Sequence, residues 1–281
     1  MKKIDLHIHT NLSDGDLSVN EIINLSNKNN CKLISITDHD HIIDSNLCKN
    51  DYGITIIPGV ELNSTTTGMH ILGYGMIEDS KLKNKLQLLN EENEQVCLEV
   101  IKILQKNGFE ISKEEIKEYY QKNSLPFNIL DKKKIVKYLI YKEYTKSILE
   151  TYDTLIGKNA KYYVPIKKMS PKQCIETIKE SGGISVLAHP ETLNLNNDDL
   201  YKQIKELSLL GLDGIEIINQ KIKNNNTSYY QKLANEFNLI ETVGSDFHSL
   251  AKQTPGIYAE EKLIDNFYNK MVKTKKIGNF K

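Results

Sequence analysis

Seven short runs rich in branched apolar residues constrain the fold of this chain more than any other feature. They are KIDLHIH (3–9), KLISIT (32–37), GITIIPGVE (53–61), MHILGYG (69–75), GISVLA (183–188), GIEIIN (214–219) and IETVGS (240–245). A strand with one wet face alternates apolar and polar residues, and most of these runs do not alternate. They read as strands covered on both faces, in a parallel sheet sheathed by helices. Helical segments fall in the gaps. Ser18 with Glu21 forms a capping box for a helix to about Asn29, and Ser170 before Pro171 opens one to about Ser181. Further helices are expected over 198–210, 228–237 and 260–273. Strands and helices alternating over 281 residues point to a closed α/β barrel.

The alternation breaks once. From about 80 to 165 the patterns are helical only: 80–107, 113–122 behind the Ser112–Glu115 capping box, 131–141 and 145–156. This divides the chain into a barrel (1–80 and 166–281) and a helical insertion (81–165). In a barrel of parallel strands, the connection after the fourth strand emerges near the carboxyl ends, which places the insertion to cap a site there.

The seven histidines are His7, His9, His39, His41, His70, His189 and His248. Six lie at the end of a strand or just beyond it, or at a strand start for His70; His41 follows His39 by two residues. Carboxylates accompany them: Asp14, Asp38, Asp40, Glu61 and Asp246. Alternate residues of a strand share a face, so Asp5, His7 and His9 point one way, and strand ends of a barrel converge on one mouth. Imidazole and carboxylate together are the ligand set of zinc, iron and manganese.

Composition removes other classes. Lysine supplies all 37 basic residues and balances 37 acidic ones, leaving no basic footprint for long nucleic acid or an anionic membrane. The scattered cysteines Cys31, Cys48, Cys97 and Cys174 make no thiolate metal site and suit a reducing compartment. No apolar stretch reaches membrane-spanning length and no signal peptide is visible, so a cytoplasmic location is expected.

The stretches DLHIHTNLSDG (5–15), ITDHD (36–40), GVE (59–61), HILGY (70–74), GGISVLAHP (182–190) and GSDFH (244–248) resemble, in order, the motifs of the PHP (polymerase and histidinol phosphatase) family of metal-dependent phosphoesterases. The resemblance implies a distorted (β/α)7 TIM-like barrel holding two to three divalent ions, zinc, iron or manganese. It implies His7, His9 and Asp246 on a first ion, Glu61 bridging to a second with His70 and His189, and Asp14, His39 and His248 on a third. Within the family the chain is similar to bacterial members with a helical insertion that act on nucleoside 3′,5′-bisphosphates or short oligonucleotides. The implied substrate is therefore a small phosphate ester, a nucleotide or short oligonucleotide. Such members carry Arg-Pro-His in the insertion and an arginine after Ala-His-Pro. Here Lys132, Lys133 and Lys134 align with the first, and Thr192 stands in place of the second.

The expected reaction is hydrolysis of a phosphate ester through the ions, with Glu61 and Asp246 acting as ligands. A metal-bound water, Asp40 and His41 are the candidate proton donors, and Lys132, Lys133 and Lys134 the candidate substrate contacts. Two other classes stay open on sequence: an amidohydrolase-type C–N hydrolase, which shares strand-end HxH logic, and a non-catalytic module stabilised by metal.

Overall fold

A computed structural model describes residues 1–49, 52–76, 80–219, 226–251 and 253–274. Eight strands form one sheet: β1 (Lys2–Ile8), β2 (Leu33–Ile36), β3 (Thr55–Asn63), β4 (His70–Tyr74), β5 (Ile184–Leu187), β6 (Gly214–Ile218), β7 (Ile240–Val243) and β8 (Ile257–Ala259). Their spatial order is β7-β6-β5-β4-β3-β2-β1-β8. The sheet curls until its ends nearly meet. The segment following β7 hydrogen-bonds the end of β1, with Asp246 N–H donating to His7 O at 2.8 Å and His9 N–H to Phe247 O at 2.9 Å. Asp5 clamps this seam, accepting from Ser245 N–H at 2.8 Å and Gly256 N–H at 2.7 Å. The result is the α/β barrel expected from the alternation of elements.

Two features of the sheet differ from the sequence expectation. β1, β2 and β3 run parallel, as do β5, β6 and β7. β4 is antiparallel to both its neighbours. The reason is chain length: only residues 64–69 join β3 to β4, far short of the dozen or more that a parallel crossover needs. The chain makes a tight turn instead, closed by Ser64 N–H to Met69 O. It therefore leaves β4 at the end opposite Glu61, not at the carboxyl ends of the parallel strands. It rejoins the barrel at Met169, which pairs with Ser64 and accepts from Thr65 N–H at 2.9 Å. The second difference is β8, three residues antiparallel to Lys2–Ile4, too short and too close to Pro255 and Gly256 to read as a strand.

The helices follow their caps. α1 (Val19–Lys28) starts at the Ser18–Glu21 capping box. The insertion holds α2 (Ser80–Lys106), α3 (Lys113–Lys122), α4 (Lys132–Tyr141) and α5 (Ile148–Thr151), followed by a π turn over Tyr152–Ile156. α6 (Pro171–Glu180) starts at Ser170 with Gln173 completing its capping box. α7 (Asn197–Leu209), α8 (Thr227–Glu236) and α9 (Glu261–Lys273) complete the barrel's outer layer.

Two compact units result: Met1–Lys83 with Lys168–Lys281, and Asn84–Lys167. The second has its own core, including Val100, Leu104, Ile116, Ile135, Leu139 and Ile156. In the barrel, Tyr74 is fully buried, donates to Leu6 O at 2.9 Å and meets the Phe267 ring edge-on. No helix among the described residues is long and apolar enough to cross a membrane.

Candidate metal centre

All nine residues that the PHP motifs single out as ligands converge at one end of the barrel. Their donor atoms form four overlapping groups: His7, His9 and Asp246; His7, Glu61 and His189; His39, Glu61 and His70; and His9, Asp14, His39 and His248. Strand geometry accounts for the convergence. His7 and His9 are alternate residues on β1 and its extension, Glu61 lies near the carboxyl end of β3, and His70 opens β4 directly across the turn. His39, His189 and Asp246 sit on the loops that follow β2, β5 and β7.

Glu61 is the hub. It is 1 % exposed, and its two oxygens face five imidazoles. Oε1 lies 2.9 Å from both His70 Nδ1 and His189 Nε2; Oε2 lies 3.2 Å from His9 Nε2 and His39 Nδ1 and 3.4 Å from His7 Nε2. Asp246 Oδ1 stands 3.2 Å from His9 Nε2 and 3.6 Å from His7 Nε2. Asp14 faces His248 Nε2 at 3.0 Å, with His9 and His39 within 3.8 Å.

The ring orientations bear on what these residues could hold. His7 Nδ1 is 3.0 Å from Glu216 Oε1, and His248 Nδ1 is 2.8 Å from the Asp246 carbonyl. Both acceptors require a proton on Nδ1, so the Nε2 atoms turned toward the carboxylates carry lone pairs unless doubly protonated. His7 Nε2 and His9 Nε2 lie only 3.2 Å apart. Among the described residues, buried Glu61 Oε2 and His9 Nδ1 make no hydrogen bond of ordinary geometry. Carboxylate oxygens and imidazole lone pairs pointed at each other need positive charge between them, supplied by protons or by metal ions. The donor set fits divalent ions.

In the metal-free protein, protons take that role. Burial alone would lower the His9 pKa, but Asp246 and Glu61 more than offset it and push it up to about 9. His7 is raised in the same way, burial opposing and Glu216, Glu61 and Asp246 prevailing. Glu61 is held well below the usual carboxylate range: burial opposes, but His39, His70 and His7 win. Asp246 is lowered against its burial by His7 and His9. His70 goes the other way, lowered by burial.

Neighbouring groups hold these side chains in place. Asp38 accepts from Thr10 N–H, Thr10 Oγ1 and Ser13 Oγ at 2.5–2.7 Å, fixing the loop that carries Asp14. Glu216 accepts from His7 Nδ1, from His189 N–H at 2.7 Å and from Asn219 at 3.1 Å. Asp40, His189 and Asp246 are non-glycine residues at positive φ, strain concentrated at the mouth. Gly244 is fixed by contact: a Cβ there would lie 2.2 Å from His7 Cβ and 2.8 Å from Glu216 Oε1. Gly244→Ala is expected to destabilise the fold by about 1–3 kcal/mol and to lower Zn2+ uptake, because His7 must move. A melting temperature and a Zn2+ content equal to wild type would show that the seam yields freely.

The proton-donor candidates separate. Asp40 is buried, its Oδ2 accepts from Asn63 at 3.1 Å, and burial raises its pKa to about 6. His41 is half-buried and belongs to none of the four groups. Of the candidate substrate lysines, Lys132 donates to Val164 O at 2.5 Å and lies over the Tyr163 ring at 4.8 Å. Lys134 is buried and paired with Asp131, the N-cap of α4; Lys133 is exposed. Two residues escaped sequence reasoning. Asn63 bonds Asp40 and stands 3.4 Å from His39 Nδ1; its place two residues beyond Glu61 on one strand face was the available signal. Lys168 is half-buried within electrostatic reach of Asp40 and His70, its pKa lowered by burial; one lysine among 37 gave no signal.

Comparison with known proteins agrees with this geometry. A PHP domain model matches residues 5–181. A 5′-3′ exoribonuclease of Haemophilus influenzae is 26% identical over 253 residues, covering 88% of this chain and 90% of that protein. A 3′,5′-nucleoside bisphosphate phosphatase of Chromobacterium violaceum is 22% identical over 256 residues, covering 89% and 88%. A solved structure from Chromobacterium violaceum, described as an amidohydrolase with bound sulfate and no metal, superposes with a TM-score of 0.78 at 20% identity, covering 93% of this chain and 96% of that one.

Proposed function

The chain belongs to the PHP domain family of metal-dependent phosphoesterases, and from that premise we propose that it hydrolyses a phosphate ester of a nucleoside bisphosphate or a short oligonucleotide, using two to three zinc, iron or manganese ions. The observation that carries this reading is Glu61, one carboxylate shared between separate imidazole pairs. The printed activities of the Haemophilus and Chromobacterium relatives support the substrate class.

Divalent ions held by these nine residues supply Lewis acidity toward phosphoryl oxygens and a water nucleophile at neutral pH. The chain's own groups do the rest. Glu61 spans the His7–His189 and His39–His70 pairs, so one buried residue sets the spacing of the centre. Glu216 and the Asp246 carbonyl hold Nδ1 protons and aim the opposite nitrogens inward. Burial favours Asp40 over His41 for protonating the leaving oxygen, since it raises the Asp40 carboxyl to about 6 beside Asn63 and within electrostatic reach of Lys168.

Lys168 offers the phosphate a cation at the mouth, where it binds the substrate's second phosphate. Lys168→Met should raise KM for a nucleoside 3′,5′-bisphosphate about tenfold, the worth of one charged hydrogen bond of ~1.5 kcal/mol, with kcat nearly kept. Turnover of p-nitrophenyl phosphate, which has one phosphate, should stay within about twofold. Parallel kinetics of Lys132→Ala, Lys133→Ala and Lys134→Ala test the α4 contribution. Absence of Zn2+-, Fe2+- or Mn2+-dependent turnover of both substrates would defeat the phosphoesterase reading.

A further inference from the structure

We propose that Thr192 is a positioning residue that fixes His189 as the Nδ1–H tautomer and so turns its Nε2 lone pair toward Glu61, an inference that rests on the metal-centre reading above. Thr192 Oγ1 lies 2.6 Å from Gly68 O, 3.0 Å from His189 O and 2.9 Å from His189 Nδ1. Carbonyl oxygens only accept, and a hydroxyl has one proton to give. Whichever carbonyl takes that proton, the hydroxyl meets Nδ1 with a lone pair. Nδ1 must therefore donate, and in the neutral ring Nε2 carries no proton. That Nε2 atom is 2.9 Å from Glu61 Oε1. A lone pair facing a carboxylate at that distance is repelled unless a cation joins them.

The relay is built into the backbone on both sides. Gly68 belongs to the β3–β4 turn that delivers His70, and its φ of +73° suits glycine. A Cβ there would lie 2.1 Å from Thr192 O, so only glycine lets this turn press against residues 190–193. His189 has a φ of +24° and is tethered through its own N–H to Glu216 Oε2 at 2.7 Å. The imidazole is thus held at its backbone by β6 and at its ring by Thr192, itself bonded to the turn after β3. Thr192 couples the turn carrying His70 to the loop carrying His189, the two histidines that flank Glu61 Oε1. Valine matches the shape of threonine but cannot accept from Nδ1 or donate to Gly68.

Two measurements on the full chain test this. In Zn2+-loaded wild type, 1H–15N spectra of the imidazoles should show His189 protonated at Nδ1 and not at Nε2. In competition with a chelator, Thr192→Val should lose about 10–100-fold in affinity for at least one Zn2+, while Thr192→Ser keeps wild-type affinity. His189 protonated at Nε2 in a Zn2+-binding wild type would overturn the role of Thr192 alone, whether or not the valine variant folds. Wild-type Zn2+ affinity in a folded Thr192→Val would overturn it too. A wild-type chain that takes up no Zn2+ would overturn the reading of the centre itself.

Discussion

Glu61→Gln should lower kcat/KM on a phosphate ester by more than about 100-fold and remove at least one bound ion per chain. Loss of a group that merely orients a ligand costs about 10–100-fold in metal affinity or activity, and Glu61 is closer to the centre than that. Its two oxygens are within 3.4 Å of five imidazoles. Glutamine keeps the shape but brings a neutral amide with two hydrogens, which would have to point at imidazole nitrogens in place of one oxygen. At 1 % exposure, water does not reach the amide to compensate. Elemental analysis and steady-state kinetics on the same preparation read both effects. His41→Ala is the control, since His41 lies outside the four ligand groups, and only a modest loss is expected. Activity of Glu61→Gln within about twofold of wild type would remove Glu61 from the centre.

The second large effect is a dependence on pH that separates metal-loaded from chelated protein. In the chelated protein, His9 has a folded pKa of about 9 against its ordinary 6.5. A histidine raised by its partners contributes stability that is complete below the unfolded pKa and fades as pH rises through the folded one. A displacement of this size is worth about 3 kcal/mol, lost between pH 6.5 and 9. His7 is raised as well and acts in the same direction. Glu61 and Asp246 are lowered, so their contribution is complete above the usual carboxylate range and fails only in acid. Chelated protein should therefore lose stability as pH rises from 6.5 to 9. Ion binding behaves oppositely, because it needs imidazoles without the second proton and strengthens with pH. The gap in melting temperature between Zn2+-loaded and chelated protein should therefore widen steadily from pH 6.5 to 9. A gap that stays constant or narrows would mean that protons and metal do not compete for the same nitrogens.

The barrel and the gathering of histidines were legible because both rest on short-range rules. Uniformly apolar runs between capped helices, as at Ser18 and Ser170, specify covered strands without any knowledge of the fold. The spacing of His7 and His9 puts them on one strand face. Strand direction is a different kind of information. Nothing in MHILGYG says which way it runs, although the short stretch between Asn63 and His70 could have excluded a parallel crossover. β8 was hidden because it holds only through pairing with Lys2–Ile4. Lys168 and Thr192 depend on two separate chain segments meeting beside β4: the turn at 64–69, with the residues just before α6 or those just after β5. Residues so distant in sequence carry no periodic trace of each other. At α4, the buried pairing of Lys134 with Asp131 and the bond from Lys132 to Val164 turn an aligned run of three lysines into partly structural residues.

The seam of the barrel has a consequence for how the protein is made. Asp5 is bonded to Ser245 across 240 positions of sequence, and Asp246 shares its backbone bond with His7. The residues that complete the surroundings of His7 and His9 are translated about 240 positions after them. Until then the nascent chain holds half a wall of ligands facing solvent, and closure of so long a loop is a slow step. A product released early, even one long enough to contain β1 to β6, lacks Asp246 and His248 and cannot join β1 to the seam. Translation through Asp246 and His248 therefore decides whether the centre can close at all.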